Sequence, residues 1–334
     1  MKNFKKDIWE SGEYDYAAAY GFVPNLKAYL HEDDEIRDCM LVVPGGGYCM
    51  VTPAEGELIA KEFYGRGMNA FVLTYTTDIT MSVPLRNQPF NDISRAVRMI
   101  RANSKEYCIN PDRLFISGFS AGGHVCGMLC THYEDFTDSN PAYKDISNRP
   151  TAAILAYPVI TAGKYTHLYS IQALLGKNPT EEEIEYYSVE KNVTENTPPC
   201  FLWQTVEDNL VPVENTYLMA KSLREKGVLY AQYAFPRGFH GLSLPTEDFF
   251  KGMMGDPFTF EQVNLAIENV RNYTAVNVSQ ERHDELMIQF FGNKEGKEMP
   301  REEKHPDMPP LPEGIFDDIL LWPDLAMVFL KHLK

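Results

Sequence analysis

Directly after an apolar, strand-like run at 114–117, the chain reads Gly118-Phe119-Ser120-Ala121-Gly122, a G-x-S-x-G motif. Without a Cβ at either glycine the backbone can turn sharply from a strand into a helix. Ser120 is then left at the tip of a tight, strained turn with its Oγ presented. Strain of this kind is retained where a reactive group must be held out. The motif therefore predicts a strand–elbow–helix unit with Ser120 as a nucleophile. A serine hydroxyl is a poor nucleophile alone, so the rest of the chain must supply a base, an acid and oxyanion donors.

The remaining sequence has the rhythm such a unit needs. Apolar runs at 39–43, 69–75, 152–157, 200–204 and 230–235 read as strands. Segments of helical period lie between them at 56–66, 90–103, 121–133 and 213–226. In the second of these, Ile93, Ala96, Val97 and Ile100 share one face. Strands separated by helices of about ten residues or more imply right-handed crossovers. The expected class is α/β, a mostly parallel sheet with helices on both faces. With 334 residues, 44% of them hydrophobic, the chain can bury a large core.

We read 1–334 as a single domain with a long insertion at 245–314, before a final helix at 322–333. The insertion is expected to carry helices near 261–272 and 281–291 and a charged, proline-bearing section at 294–312. It has three readings: a lid, a pocket wall, or a contact between copies in a homo-oligomer. The stretch 161–199 holds a short helix around 180–187 and no clear strand, and is placed over the mouth of the site.

In sheets of this type ligands bind outside the carboxyl ends of the strands. The remaining site candidates arrive there. The strand at 200–204 runs into Glu207-Asp208-Asn209-Leu210-Val211-Pro212, and the strand at 230–235 runs into Gly238-Phe239-His240-Gly241. The order serine, acid, histidine is the one this scaffold requires. His240 is the candidate base. Its serious rival is His124, one turn beyond Ser120, which is placed along the helix leaving the elbow as a structural or loop-orienting residue. Asp208 is favoured as the acid by the spacing D-x-x-V-P, with adjacent Glu207 as the alternative. The oxyanion needs two preorganised N–H donors. One is the amide of Ala121. The other comes from the turn Pro44-Gly45-Gly46-Gly47, from Gly46 or Gly47. A phosphate cradle is the rival reading of these glycines, but no Gly-Lys-Ser/Thr follows.

Other chemistry fares less well. The formal net charge of −16 argues against nucleic acid, anionic membrane surfaces and polyanionic substrates. No stretch approaches the ~18 apolar residues of a membrane span. No His/Cys cluster has metal-ligand spacing, and no cofactor motif is present. The six cysteines sit in apolar or strand-like surroundings and read as buried, reduced thiols. The N-terminus is basic at first but lacks an apolar h-region and a small-residue cleavage site, so a cytoplasmic location is expected.

Four stretches together resemble an α/β-hydrolase of the esterase/lipase type, most of all the acetyl-xylan-esterase-like carbohydrate esterases related to feruloyl esterases and prolyl-oligopeptidase-type hydrolases. They are Pro-Gly-Gly-Gly-Tyr at 44–48 with Glu55-Gly56-Glu57, Gly-Phe-Ser-Ala-Gly-Gly-His at 118–124, Glu-Asp-Asn-Leu-Val-Pro-Val-Glu-Asn at 207–215, and Gly-Phe-His-Gly-Leu-Ser at 238–243. They cover the core from about 35 to 245. Two features depart from the pattern: Pro44 stands where the family has a histidine, and the 245–314 insertion is long. The resemblance implies acyl transfer from a small-molecule or oligosaccharide ester through Ser120, Asp208 and His240, without a cofactor. A lipase or long-chain esterase, a feruloyl esterase, a prolyl-oligopeptidase-type peptidase and a non-catalytic binding protein of this fold are the alternatives.

Overall fold

The computed structural model describes residues 1–296 and 314–333. Its eight strands are β1 (Lys2–Asp7), β2 (Asn25–Leu30), β3 (Arg37–Val43), β4 (Asn69–Thr74), β5 (Ile109–Phe119), β6 (Ala152–Ala156), β7 (Cys200–Thr205) and β8 (Tyr230–Phe235). They form one sheet in the order β1-β2-β4-β3-β5-β6-β7-β8. From β4 to β8 every pairing is parallel, while β1–β2 and β2–β4 are antiparallel. This is the α/β-hydrolase fold. The helices are α1 (Glu57–Gly65), α2 (Gln88–Ala102), α3 (Ala121–His132), α4 (Leu168–Leu175), α5 (Glu181–Tyr186), α6 (Glu214–Glu225), α7 (Glu247–Phe250), α8 (Glu261–Arg271), α9 (Gln280–Phe291) and α10 (Trp322–Lys331).

The central strands are apolar on both sides because both sides are covered. In β3, Cys39, Leu41 and Val43 face a core completed by Phe90, Ile93 and Val97 of α2, Val125 and Leu129 of α3, and Met219 and Leu223 of α6. Met40 and Val42 face the opposite core, with Ile59, Ala60 and Phe63 of α1 and Trp322, Ala326 and Leu330 of α10. A continuous apolar run is the signature of a strand buried in this way.

The N-terminal ribbon was not legible in the sequence. Five of the six β1 residues are exposed, three of them lysines, so no apolar alternation announces the strand. Its lysines suit an edge, where charge discourages pairing with another chain. β5 also begins earlier than the expected 114, at Ile109, which pairs with Arg37 before the register with β3 breaks at a bulge across the polar residues 110–113.

Helices α8 and α9 lie where the insertion was expected to have them. They pack on each other through Val263, Ile267, Val270, Leu286 and Met287 within the core that also holds α2. Gln262 clasps the segment after β4, accepting from the Thr77 amide at 2.9 Å and donating to the Thr77 carbonyl. Most of the charged section expected at 294–312 lies outside the described residues. Five cysteines are buried as anticipated, but Cys108 is half-exposed in the turn entering β5, and all six are free thiols. Among the described residues no helix is long and apolar enough to cross a membrane.

Candidate active site

The turn between β5 and α3 has the geometry its glycines permit. Ser120 sits at φ 52°, ψ −119°, a conformation costly for a residue with a Cβ. Its backbone is fixed on three sides: its amide donates to the Ala156 carbonyl, and its own carbonyl accepts from His124 and Val159. Glycine is obligatory beside it. A Cβ on Gly122 would lie 2.1 Å from the Val43 carbonyl oxygen, and one on Gly118 would lie 2.3 Å from that of Gly122. The elbow is thus held by close backbone packing between β3 and α3.

The loops after β7 and β8 converge on Ser120. His240 Nε2 lies 2.8 Å from Ser120 Oγ, and His240 Nδ1 lies 2.7 Å from Asp208 Oδ2. The Asp208 carboxylate has no exposed surface, and its second oxygen accepts the amides of Leu210 and Val211 at 3.0 and 2.9 Å. Gln204 donates to it from within β7. Glu207 is turned to the other loop: among the described residues its hydrogen-bond partner is the Gly238 amide, at 3.4 Å from Oε2. Thr205 Oγ1 donates to the Gly238 carbonyl at 2.8 Å and joins the two loops. The imidazole also stands edge-on to Tyr157, with centroids 5.0 Å apart. His240 is therefore restrained by the Asp208 carboxylate and by the Tyr157 ring.

The glycine-rich turn lies against the elbow, with a Cβ on Gly45 placed 2.8 Å from the Ser120 Cβ. The Gly45 amide is taken up by Glu55 Oε2 at 2.6 Å. Among the described residues no hydrogen bond occupies the amides of Gly46 or Gly47, which have φ +122° and +64°. Ala121 is the first residue of α3, where an amide has no helical acceptor behind it.

Three residues that sequence reasoning left without a part complete the surroundings. Glu55 is fully buried; its other oxygen accepts from Tyr157 Oη at 2.7 Å. Burial pushes its pKa up, opposed by the Tyr157 and Gly45 hydrogen bonds and by the nearby His240. One carboxylate thus ties the glycine turn to the tyrosine beneath His240. On the opposite side, at the N-terminal end of α4, His167 Nδ1 and Ser170 Oγ are 2.7 Å apart. Both approach Gly47, to within 3.9 and 3.7 Å of where its Cβ would be. Burial lowers the His167 pKa, and the proximity of His240 lowers it further. Glu55 lies in the Glu55-Gly56-Glu57 stretch after the glycine turn, whereas α4 carries no spacing signal that could single out His167 or Ser170.

His124 lies beneath the turn, away from the Ser120 hydroxyl. Its Nδ1 is 2.6 Å from Tyr48 Oη and its Nε2 is 2.8 Å from the Tyr187 carbonyl. A carbonyl only accepts, so the ring proton is on Nε2 and Nδ1 accepts from the tyrosine. Burial lowers its pKa to about 4.

Residues 26–223 match the BD-FAE family. The chain belongs to that family. BD-FAE membership covers β2 to α6, including the glycine turn, the elbow and Asp208. Over 80% of its length the chain is 62% identical to endo-1,4-beta-xylanase B of Butyrivibrio fibrisolvens. Over 66% it is 30% identical to an acetylxylan esterase of Xylanibacter ruminicola. The matches take in 42% and 44% of those proteins, so the chain spans less than half of either. A solved structure, the acetyl ester-xyloside bifunctional hydrolase of Caldicellulosiruptor lactoaceticus, is 34% identical with a TM-score of 0.68, over 78% of this chain and 97% of that one.

Proposed function

We propose that this BD-FAE member is a serine carboxylic-ester hydrolase that removes acetyl groups from sugars or xylo-oligosaccharides. One observation carries the reaction type: Ser120 Oγ, His240 and Asp208 lie in hydrogen-bonded sequence beside a glycine turn whose Gly46 and Gly47 amides carry no hydrogen bond among the described residues. His240 Nε2 takes the proton as Ser120 Oγ attacks the ester carbonyl. Asp208 keeps the imidazole in the required tautomer and stabilises the imidazolium that forms. The amides of Ala121 and of Gly46 or Gly47 receive the oxyanion. The imidazolium then returns its proton to the departing alcohol, leaving Ser120 acetylated. Water, deprotonated by His240, attacks the acyl-enzyme and releases acetate and free serine. The chain's own residues supply every proton transfer.

The sugar-ester preference is supported by the relatives: a xylanase, an acetylxylan esterase and an acetyl ester-xyloside hydrolase. The test is hydrolysis of p-nitrophenyl esters of increasing acyl length together with acetylated xylo-oligosaccharides. Acetate should be the best acyl group, and Ser120→Ala should abolish turnover with the fold intact. Retained turnover in that variant refutes the nucleophile assignment, and a best rate on long acyl chains refutes the acetyl preference.

A further inference from the structure

The segment that meets the glycine turn from α4 presents a polar group that the acyl-transfer steps do not use. His167 immediately precedes α4, and Cε1 is the one atom of its ring within 4 Å of where a Gly47 Cβ would be. Cε1 lies between the two ring nitrogens, so the nitrogen-bearing edge is turned towards Gly47. Nδ1 is taken up by Ser170 Oγ at 2.7 Å, and Ser170 is fully buried, which fixes the ring. Nε2 carries no hydrogen bond among the described residues, and His167 is only half-buried. The position is firmly held. Ile171, Ala173 and Leu174 root α4 in the core. Asn215 Nδ2 donates to the Tyr165 carbonyl at 2.9 Å and ties the approach to α4 to the first turn of α6.

In the proposed reaction the ester carbonyl is received by Ala121 and by Gly46 or Gly47, and the departing oxygen lies at His240 Nε2, which returns its proton. His167 touches the glycine turn. It is also near enough to the triad that, after burial, the proximity of His240 is the next cause lowering its pKa. A neutral ring adds no charge against the imidazolium that forms. An acyl methyl group offers the open nitrogen nothing, and setting that nitrogen against hydrocarbon costs a hydrogen bond. A hydroxyl on the carbon beside the ester suits either tautomer, because it both donates and accepts. We propose that His167 Nε2 binds the free hydroxyl neighbouring the acetylated one, and so selects sugar acetates with a vicinal hydroxyl over simple esters. The inference deepens the sugar-esterase reading and rests on it.

Three substrates test this: a methyl xyloside monoacetate with a free neighbouring hydroxyl, its deoxy analogue lacking that hydroxyl, and p-nitrophenyl acetate. The parent should show kcat/KM at least about tenfold higher on the first than on the second, the worth of one hydrogen bond. In His167→Ala that ratio should fall to about one, and the loss on the first substrate should exceed the loss on p-nitrophenyl acetate by about the same factor. His167→Gln keeps a side-chain donor and acceptor and should recover part of the ratio. Ser170→Ala releases the ring and should lower the ratio without abolishing it, which provides a second probe; circular dichroism checks the fold of each variant. A parental ratio near one, or a ratio that survives His167→Ala, overturns the proposal. Equal losses on all three substrates also overturn it and make His167 a support for the glycine turn. Failure of the underlying reading looks different. An enzyme that cleaves p-nitrophenyl acetate but neither xyloside has no sugar-ester activity, and the His167 contact falls with it. An enzyme that cleaves both xylosides equally well keeps the activity and lacks the contact.

Discussion

His124 is a buried base whose protonation would strike the site from below, and the consequence can be worked out. Desolvation lowers its pKa from 6.5 to about 4 in the folded protein. The folded state therefore binds fewer protons than the unfolded state between these values. The stability contributed by the neutral ring is fully present above pH 6.5 and is lost as pH falls towards 4. Linkage from those two values gives a loss of about 2 kcal/mol between pH 7 and pH 5, and about 3 kcal/mol in full. The substitution His124→Gln removes the titration while preserving one of the two hydrogen bonds to Tyr48 and the Tyr187 carbonyl. At pH 7 this variant should be less stable than the parent by about 1–3 kcal/mol, the cost of a buried group left unpaired. Urea unfolding at a series of pH values measures both proteins with their other histidines in common. The stability gap should narrow by about 2 kcal/mol by pH 5. If the two pH profiles run parallel, His124 is not the buried neutral base described, and the account of how the Tyr48 side of the glycine turn is supported fails with it.

Two further predictions separate roles around the site. Asp208→Asn should lower kcat on p-nitrophenyl acetate by about 10⁴-fold through the wrong imidazole tautomer, whereas Glu207→Gln should change it less than about threefold; comparable losses in both would reassign the acid. Glu55→Gln presents an amide to two donors, Gly45 N–H and Tyr157 O–H, and can satisfy only one through its carbonyl oxygen. We expect a loss of about 1–3 kcal/mol in urea unfolding together with a lower kcat at little-changed KM, and an unaltered kcat would show that the turn does not need this anchor.

Much of this protein could be read in one dimension because its chemistry depends on local backbone rules. The glycines flanking Ser120 announce an elbow, since no side chain fits where β3 and α3 meet. The apolar runs of β3, β4, β6 and β7 announce buried parallel strands, since both their faces are covered. Strand-end loops carrying Asp208 and His240 in that order followed from the same topology. What the sequence could not decide was anything set by direction across the fold. Adjacent carboxylates at 207 and 208 are equivalent as letters, and only the path of the loop after β7 turns one towards His240 and the other towards Gly238. The exposed β1 has no apolar pattern, because it is held by edge pairing rather than burial. Glu55 acquires its environment from residues 10 and 102 positions away. His167 and Gly47 come from segments more than a hundred residues apart, and that juxtaposition exists only after the core has placed them.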